Sequence, residues 1–372
     1  MTTVPLLDVE DVRAGVDREL TTALDALGSE LTTLGTDTQL AGELRGFVAG
    51  GKRLRAALCY WSWRAHGGQA TDDDARGTVL RVGAALELFQ AAALVHDDVM
   101  DASDTRRGRP AAHRYFAGLH RSQGWSGPAD LFGAASAIVL GDLALIASDR
   151  VFAAALADAP AARGADRSGR RHARAVFDTM RTEVTAGQYL DLRAQALPWL
   201  DPEAEERRAR AVVRSKSARY SVEHPLTLGA SLAGAGPAAL DLCREVGLPL
   251  GEAFQLRDDV LGIFGDPSVT GKPAGDDLRE GKRTVLIARA LAAADDAQRN
   301  RLTGALGRRD LSDHDVAALR RLLRDTGAVA AVERLIGDLA GPALAALGAA
   351  DLAEPGRTML VRLGHASVDR QA

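Results

Sequence analysis

Apolar residues recur every three or four positions along most of this 372-residue chain, and this spacing constrains the fold more than any other feature. Side chains three or four positions apart lie on one face of an α-helix, so the spacing predicts amphipathic helices. The segments are rich in Ala, Leu and Arg, which favour helix, and the alternating patterns typical of strands are scarce. The chain is therefore predicted to be all-α. Short breaks that contain Gly or Pro fall around 118–130, 158–170, 196–203, 232–238 and 264–281.

No segment reads as a linker between domains. A chain of this length has room for two domains, but the breaks are short, and no internal repeat of roughly 20–50 residues is evident. We therefore expect a single domain over residues 1–372. Its motif-bearing core lies at about 45–290, and its C-terminal helices lie at about 296–368.

Charge, hydropathy and cysteine content exclude several classes of protein. The net charge of −4 argues against general nucleic-acid binding. No run of 18 uncharged apolar residues occurs, so no membrane span is expected. The N-terminus lacks the basic region and apolar core of a signal peptide. The two cysteines, Cys59 and Cys243, form neither a disulfide framework nor a metal-binding pattern. These features together predict a cytoplasmic protein.

Two aspartate-rich clusters lie in apolar, helical segments. The first occupies positions 94–101 with the sequence LVHDDVMD, and the second occupies positions 254–262 with the sequence FQLRDDVLG. Burying a carboxylate without a partner is costly, so an acidic cluster in such surroundings calls for a compensating charge. Asp97 and Asp101 are four residues apart and share a helix face, with Asp98 beside them.

Clustered carboxylate oxygens suit a hard cation such as Mg²⁺, which commonly shares its coordination shell with substrate phosphates. The two clusters therefore predict a diphosphate held between two helices. The alternative is that these acidic residues simply face water, as most acidic residues on helices do. The flanking Ala, Leu, Val and Phe residues, and the occurrence of the pattern twice, favour the binding site.

Lysine is rare in this chain. Of 46 basic Lys and Arg residues only four are lysines, as if arginine had replaced lysine wherever either would serve. The remaining lysines then indicate positions that need a compact ammonium group rather than a planar guanidinium. Three of the four directly follow a glycine, a setting suited to a phosphate contact. They are Lys52, Lys216, Lys272 and Lys282.

Arginines follow the first aspartate cluster. Arg106, Arg107 and Arg109 lie in the segment 104–110, which begins three residues after Asp101. Cations this close to a magnesium site can neutralise phosphate oxygens that the metal leaves bare. We therefore expect this turn to contact the diphosphate.

These motifs, taken together and in this order, resemble those of the trans-isoprenyl diphosphate synthases (polyprenyl synthetases), and in particular the bacterial geranylgeranyl diphosphate synthases. The resemblance covers about residues 45 to 290. The matching segments are Gly50–Arg55, Asp97–Asp101 followed by Arg106-Arg107-Gly108, Gly187–Asp191, Lys216-Ser217-Ala218 and Phe254–Asp259.

The resemblance implies a fold, an activity and a set of site residues. The fold is an isoprenoid-synthase-type bundle of about a dozen helices around a deep cavity, working as a homodimer. The activity is the Mg²⁺-dependent condensation of isopentenyl diphosphate with dimethylallyl, geranyl or farnesyl diphosphate. By position, the metal ligands are Asp97, Asp101 and Asp258, with Asp98 and Asp259 in support. The rest of the allylic pocket comprises Arg106, Lys216, Ser217, Gln255, Lys272 and Lys282. The residues implied to bind isopentenyl diphosphate are Lys52, Arg55, Gln90 and Arg107.

The chain departs from the family pattern at one position of the second cluster. The family often has a third aspartate there, and this chain has Gly262, with Asp266 as the next acidic residue. Because the first aspartate of that motif is the usual metal ligand, activity is expected to survive. His96, beside the first cluster, points off the Asp97/Asp101 face and is expected to be structural. The released diphosphate is expected to accept the proton that the condensation releases.

Three residues upstream of the first cluster suggest the product length. If the growing chain runs along this helix at one prenyl unit per turn of ~5 Å, Ala93, Ala92 and Phe89 line its path. The two alanines leave the first turns open, and Phe89 is the expected floor. This favours geranylgeranyl diphosphate over farnesyl diphosphate or longer chains, unless Phe89 merely packs against a neighbouring helix.

Two other classes of protein share some of these features. A class I terpene cyclase has the helical fold, but it carries an Asn/Asp, Ser/Thr and Glu triad in place of the second cluster and lacks the Gly-Gly-Lys-Arg segment. A non-catalytic regulatory subunit is expected to lose metal ligands, and Gly262 is the only support for that alternative. Both clusters are present, so the sequence favours the chain-elongating enzyme.

Overall fold

The computed structural model of this chain describes residues 9–36, 39–158, 167–266 and 275–369. The regular elements in these residues are almost all helical. The predicted all-α fold is confirmed. A short 3₁₀ helix (Val9–Asp11) precedes the first α-helix, and a π-helix (Val213–Glu223) follows the eighth. The α-helices are α1 (Val12–Thr33), α2 (Gln39–Val48), α3 (Leu54–Ala65), α4 (Asp73–Met100), α5 (Ala112–Ser122), α6 (Ala129–Ala157), α7 (Arg167–Ala196), α8 (Pro202–Val212), α9 (His224–Leu232), α10 (Pro237–Phe264), α11 (Asp276–Glu280), α12 (Val285–Ala293), α13 (Asp296–Ala305), α14 (Asp313–Asp325), α15 (Ala328–Ala349) and α16 (Gly356–Val368).

The helices group into two compact units whose residues interleave along the chain. The first unit comprises Met1–Arg174, Pro225–Leu240 and Asp351–Leu360, and the second comprises Ala175–His224, Asp241–Ala350 and Val361–Ala372. Four of the five boundaries between the units fall inside helices, in α7, α9, α10 and α16, and the fifth, after Ala350, falls in the segment between α15 and α16. The single domain expected over residues 1–372 stays a prediction.

In the first unit, α4 is the element around which the other helices pack. It contacts α1, α3 and α6, and the side chain of Asp72 caps its N-terminus by accepting a hydrogen bond from the backbone N–H of Ala75. The middle of α4 is almost entirely buried, and its own side chains are mostly apolar on every face of the helix. The helix ends at Met100, so the first aspartate cluster lies in its last turn.

A two-stranded hairpin follows α4. Thr105–Arg106 pairs antiparallel with Arg109–Pro110, and the turn residues Arg107 and Gly108 both have positive φ values, of 54° and 73°. Such a two-residue turn matches the twist of the strands it joins. The sequence did not predict this hairpin, because two-residue strands are too short to show an alternating pattern.

In the second unit, the π-helix packs closely against α10. A Cβ atom on Gly251 would lie 2.2 Å from the carbonyl oxygen of Ala218, and one on Gly247 would lie 2.6 Å from the Cα of Glu223. Glycine is therefore required at both positions for the two helices to approach. This contact fixes the π-helix against the helix that carries the second aspartate cluster.

Two helices are long and apolar enough to cross a membrane by length and composition alone. They are α4, whose most apolar 18-residue window is 78% buried, and α6, whose window is 39% buried. Core helices of folded proteins pass the same test when they are mostly buried, as α4 is. The exposed large apolar residues of α6 are Leu131, Phe132, Ile138, Val139 and Ile146. The expected absence of a membrane span stays a prediction.

Candidate active site

The first aspartate cluster combines one fully buried carboxylate with two neighbours. Asp98 is 0% exposed, and both of its oxygens accept hydrogen bonds from Nε of Arg106, at 3.0 and 3.1 Å. Nη2 of Arg106 also contacts Asp98 and lies 3.7 Å from Oδ2 of Asp97. Asp97 is half-buried, and Asp101 is buried where α4 ends. The hairpin therefore brings Arg106 onto the cluster, and the guanidinium compensates the burial of Asp98.

His96 points away from this cluster. Its Nε2 lies 3.1 Å from the carbonyl oxygen of Ile138 and 3.5 Å from Oδ1 of Asp142, both on α6. The ring fills the space beside Gly141, where a Cβ atom would lie 2.2 Å from Nε2. These contacts agree with the structural role expected for His96.

The Gly-Gly-Lys-Arg segment forms the loop that leads into α3. Lys52 is exposed there, and Arg55 is half-buried in the first turn of the helix. Between them, Arg53 adopts a left-handed conformation with φ of 53°, and only 5% of it is exposed. Its Nε donates to Oδ1 of Asp17 on α1 at 2.8 Å, and its Nη1 donates to Oε2 of Glu87 on α4 at 3.2 Å. The sequence did not single out Arg53, Asp17 or Glu87.

The remaining predicted residues of the first unit lie on α4 or in the hairpin. Gln90 is half-buried two turns before Asp97, and Arg107 is exposed at the tip of the hairpin, where its Nη1 donates to the carbonyl oxygen of Phe47 at 3.3 Å. Phe89 and Ala92 are buried, with exposures of 2% and 0%, whereas Ala93 is half-buried. The unit thus brings together the Arg106 and Asp98 side chains predicted to act in one pocket.

The second aspartate cluster lies on α10. Asp258 is exposed, whereas Asp259 is buried and accepts a hydrogen bond from Nε2 of Gln255 at 2.8 Å. Burial, with a smaller contribution from the charges of Asp277 and Asp258, raises the pKa of Asp259 to about 8, although the Gln255 hydrogen bond and the charge of Lys282 oppose the rise. In the part of the chain that the structure describes, no three His, Cys, Asp or Glu side chains have the arrangement of a metal site.

Gly262 lies directly against the carboxylate of Asp277. A Cβ atom at position 262 would lie 2.0 Å from Oδ2 of Asp277, so the Asp277 carboxylate fills the space of a side chain there. Nζ of Lys282 lies 3.7 Å from Oδ1 of Asp277 and 2.7 Å from Oε2 of Glu280. The family pattern often has an aspartate at position 262, and Asp277 brings a carboxylate to this place from elsewhere in the chain. Asp266 is exposed beyond the end of α10.

Lys216 is held by the helix that carries the Gly187–Asp191 motif. Its Nζ donates to Oδ2 of Asp191 at 2.6 Å. A Cβ atom on Gly187 would lie 2.5 Å from the backbone nitrogen of Lys216, so glycine lets α7 approach the π-helix closely. Ser217, the next residue, is half-buried. The sequence identified these two motifs separately, and the structure adds that they contact each other. The predicted site residue Lys272 lies outside the described residues.

Comparison with known proteins gives the family. A model of the polyprenyl synthetase family matches residues 38–323. The chain is 31% identical over 298 residues to geranylfarnesyl diphosphate synthase of Aeropyrum pernix, covering 79% of this chain and 82% of that protein. It is 30% identical over 279 residues to geranylgeranyl diphosphate synthase of Saccharolobus solfataricus, covering 75% and 74% of the two chains.

Solved structures agree with this result. A geranylgeranyl pyrophosphate synthase from Corynebacterium glutamicum, in complex with isoprenyl diphosphate and magnesium, superposes with a TM-score of 0.88 at 36% identity, covering 98% of this chain and 100% of the other. These matches support neither a terpene cyclase nor a regulatory subunit. From its motifs, its helical fold and these relatives together, this chain belongs to the polyprenyl synthetase family and is a trans-prenyltransferase.

Proposed function

We propose that this protein condenses isopentenyl diphosphate with an allylic diphosphate in an Mg²⁺-dependent reaction and that geranylgeranyl diphosphate is its main product. One observation carries this proposal: Arg106 is bonded to Asp98 at the end of α4, beside the half-buried Asp97. A cation and carboxylates in this arrangement suit a metal-bound diphosphate, which carries negative charge and binds Mg²⁺.

The donor atoms fit magnesium. The proposed ligands are all carboxylates, from Asp97 on α4, Asp101 directly after it, and Asp258 and Asp259 on α10, and oxygen donors are those that Mg²⁺ prefers. Burial is the main cause of the raised pKa of Asp259, and the charges of Asp277 and Asp258 add to it, so a divalent cation bound there would stabilise its ionised form. Mg²⁺ typically uses one or two carboxylates and completes its shell with water and substrate phosphates, so a cage of three protein ligands is not required. When bound, it makes the diphosphate a better leaving group.

The proposed roles of the protein residues follow the movement of charge. As the allylic C–O bond breaks, its electron pair goes to the diphosphate, and Arg106 and Lys216 stabilise that charge. Each cation is oriented by a carboxylate of its own unit, Arg106 by Asp98 and Lys216 by Asp191. Gln255, Ser217, Lys272 and Lys282 complete the allylic pocket in this proposal.

Isopentenyl diphosphate is proposed to bind Lys52, Arg55, Gln90 and Arg107. Its double bond attacks the allylic cation to form the new C–C bond, and a proton leaves for the released diphosphate. No side-chain base is required for this step. The ring of His96 is held against α6 and is not assigned that role.

The product length rests on α4. In this proposal the growing chain passes the alanines and stops at Phe89, which, like Ala92, is buried inside the protein. Farnesyl diphosphate and longer products are the alternatives. The relatives differ among themselves, since they include geranylgeranyl, geranylfarnesyl and octaprenyl diphosphate synthases.

A homodimer is proposed from the apolar stripe of α6. Leu131, Ile138 and Ile146 are exposed and recur every seven or eight residues, so they lie on one face of the helix. An apolar face of this kind suits burial against a second copy of the chain. The cytoplasm remains the proposed location.

A product assay tests the proposed reaction. The purified protein and Mg²⁺ are incubated with isopentenyl diphosphate and, in turn, dimethylallyl, geranyl and farnesyl diphosphates, and the dephosphorylated products are sized by chromatography. A dominant twenty-carbon alcohol is expected. A shorter or longer alcohol would keep the reaction and overturn the role of Phe89, whereas a cyclic hydrocarbon without condensation would assign the chain to the terpene cyclases.

A further inference from the structure

We propose that Arg53, together with Glu87, is a positioning residue for isopentenyl diphosphate: the pair holds Lys52 and Arg55 in place before the substrate arrives. This inference rests on the proposed function, because it assumes that Lys52 and Arg55 bind that diphosphate. Arg53 itself is buried and is not assigned a substrate contact.

The Arg53 side chain ties the loop to two helices. Its guanidinium uses two different nitrogens, Nε toward Asp17 on α1 and Nη1 toward Glu87 on α4. The planar guanidinium suits such a double contact, whereas a lysine has a single ammonium group and would lose one of the two. The loop is thus anchored midway between Lys52 and Arg55, one residue from the first and two from the second.

The backbone of the loop is built around this contact. The guanidinium folds back over Gly51, where a Cβ atom would lie 2.5 Å from Nη1 of Arg53. Arg53 also keeps a left-handed φ of 53°, which costs free energy in a residue other than glycine. A conformation of this kind persists only if other contacts hold it, and the two ion pairs supply them. Losing these contacts is therefore expected to release the loop.

Glu87 connects this anchor to the other cations of the proposed pocket. It lies one helical turn before Gln90 on α4, and its charge acts on Arg107 together with the charges of Arg53 and Arg55. Only 5% of Glu87 is exposed, and its Oε1 has no hydrogen-bond partner among the described residues. A buried carboxylate among guanidinium groups reduces their mutual repulsion when no diphosphate is bound.

The test compares two matched Arg–Glu pairs of the first unit. The first variant, Arg53→Met/Glu87→Gln, removes both charges of the positioning pair, so that no buried charge is left unpaired. The control, Arg64→Met/Glu10→Gln, removes another Arg–Glu pair of the same unit, in which Nη2 of Arg64 lies 3.0 Å from Oε1 of Glu10. Thermal melting shows that each variant is folded before its kinetics are measured.

The expected result separates the two substrates. The Arg53/Glu87 variant should raise the KM for isopentenyl diphosphate about tenfold, which corresponds to about 1.4 kcal/mol of binding free energy. The KM for the allylic substrate and kcat should change by less than about threefold, and the control should match the wild type in all three values. Arg53→Lys keeps the charge and one contact, so its KM should fall between those of the wild type and the double variant.

Two outcomes would overturn the inference. One is an unchanged KM for isopentenyl diphosphate in a folded Arg53/Glu87 variant. The other is an equal rise in the control, which would assign the effect to general destabilisation. Lys52→Ala and Arg55→Ala are measured in parallel. If these two leave that KM unchanged, the proposed substrate assignment fails together with the inference, whereas a rise in these two alone rejects only the positioning role.

Discussion

Asp98 and Asp97 are adjacent in the chain, yet the structure gives their carboxylates different surroundings. Asp98 is buried against Arg106, whereas Asp97 is half-buried and lies farther from the same guanidinium. Asp98 therefore holds the Arg106 guanidinium in place. The carboxylate of Asp97 lies closer to solvent, where a hydrated metal ion can reach it. Single residues of the two aspartate clusters should differ accordingly when they are replaced.

Asp97→Ala should remove most turnover and leave the protein stable. The loss of a proposed metal ligand is expected to lower kcat by a factor of about 100 or more. Asp98→Ala should lower both turnover and thermal stability, because it leaves Arg106 without its main partner in a partly buried site. Steady-state kinetics with Mg²⁺ and thermal melting of both variants provide the check. Wild-type rates for Asp97→Ala would show that the ligand assignment is wrong.

Gly262→Asp should destabilise the protein even though it adds the aspartate that the family pattern often carries. The new Cβ atom would overlap the carboxylate of Asp277, and the second charge would repel it, at a cost of about 1–3 kcal/mol in the free energy of unfolding. Combining it with Asp277→Ala removes the overlap and should restore most of the loss. Denaturant unfolding of the two single variants and the double variant measures this coupling. Simple additivity of the two changes would refute the idea that both residues compete for one space.

At the scale of elements, α4 carries the candidate site residues of the first unit, and the π-helix, packed against α7, carries Lys216 in the second. One continuous helix, α4, carries Glu87, Phe89, Gln90 and the first aspartate cluster, so the sequence spacing converts directly into distance along the helix. In contrast, Lys216 depends on contacts between α7 and the π-helix that are remote in sequence.

Phe89→Ala should lengthen the product, because it opens the proposed floor by the volume of a phenyl ring. Phe89 is buried, so this change should also lower the free energy of unfolding by about 3 kcal/mol. Phe89→Leu is a milder variant that should shift the products in the same direction with a smaller loss of stability. Chromatography of the dephosphorylated products measures the shift. An unchanged distribution for both folded variants would remove Phe89 from this role.

Glu183→Gln should lower the free energy of unfolding in a pH-dependent way, because it weakens the hydrogen bond that joins α7 to the start of α9. Nε2 of His224 lies 2.8 Å from Oε2 of Glu183, and this hydrogen bond lowers the pKa of Glu183 below its usual value of 4.5. The lowered pKa favours the folded state at neutral pH, and that stability disappears as the pH falls below about 4.5. At pH 7 the variant should lose about 1.5 kcal/mol of unfolding free energy. The difference from the wild type should shrink at pH 4, and a constant difference would argue against this interaction.

At the scale of the whole molecule, the exposed apolar stripe of α6 is the feature that intramolecular packing leaves open. Ile138→Glu places a charge in the middle of that stripe, so the proposed dimer should dissociate into monomers. Leu200→Glu, at an exposed leucine in the segment between α7 and α8, is the control and should leave the assembly unchanged. Light scattering coupled to gel filtration measures the mass of each variant. A wild-type protein that elutes as a monomer would exclude the homodimer outright.

Sequence alone was sufficient for the all-α fold, for the family and for several helix boundaries. Helix α7 ends at Ala196, α9 ends at Leu232 and α10 ends at Phe264, each at the start of a predicted break. The reason is that helical periodicity, glycine and proline act locally. Other boundaries were missed for local reasons too: α5 continues to Ser122 through the predicted break, since a single Gly118 is tolerated inside a helix.

Only the tertiary structure decided how the charges of the candidate site are compensated. Arg106 with Asp98, Arg53 with Glu87 and Lys216 with Asp191 are paired across 8, 34 and 25 positions of sequence. Asp277 fills the space beside Gly262 in the same way. Sequence spacing shows which residues share one helix face, but pairing between elements depends on how those elements pack. Close approaches at glycines and the burial of single carboxylates are features of that packing, and they exist only once the chain has folded.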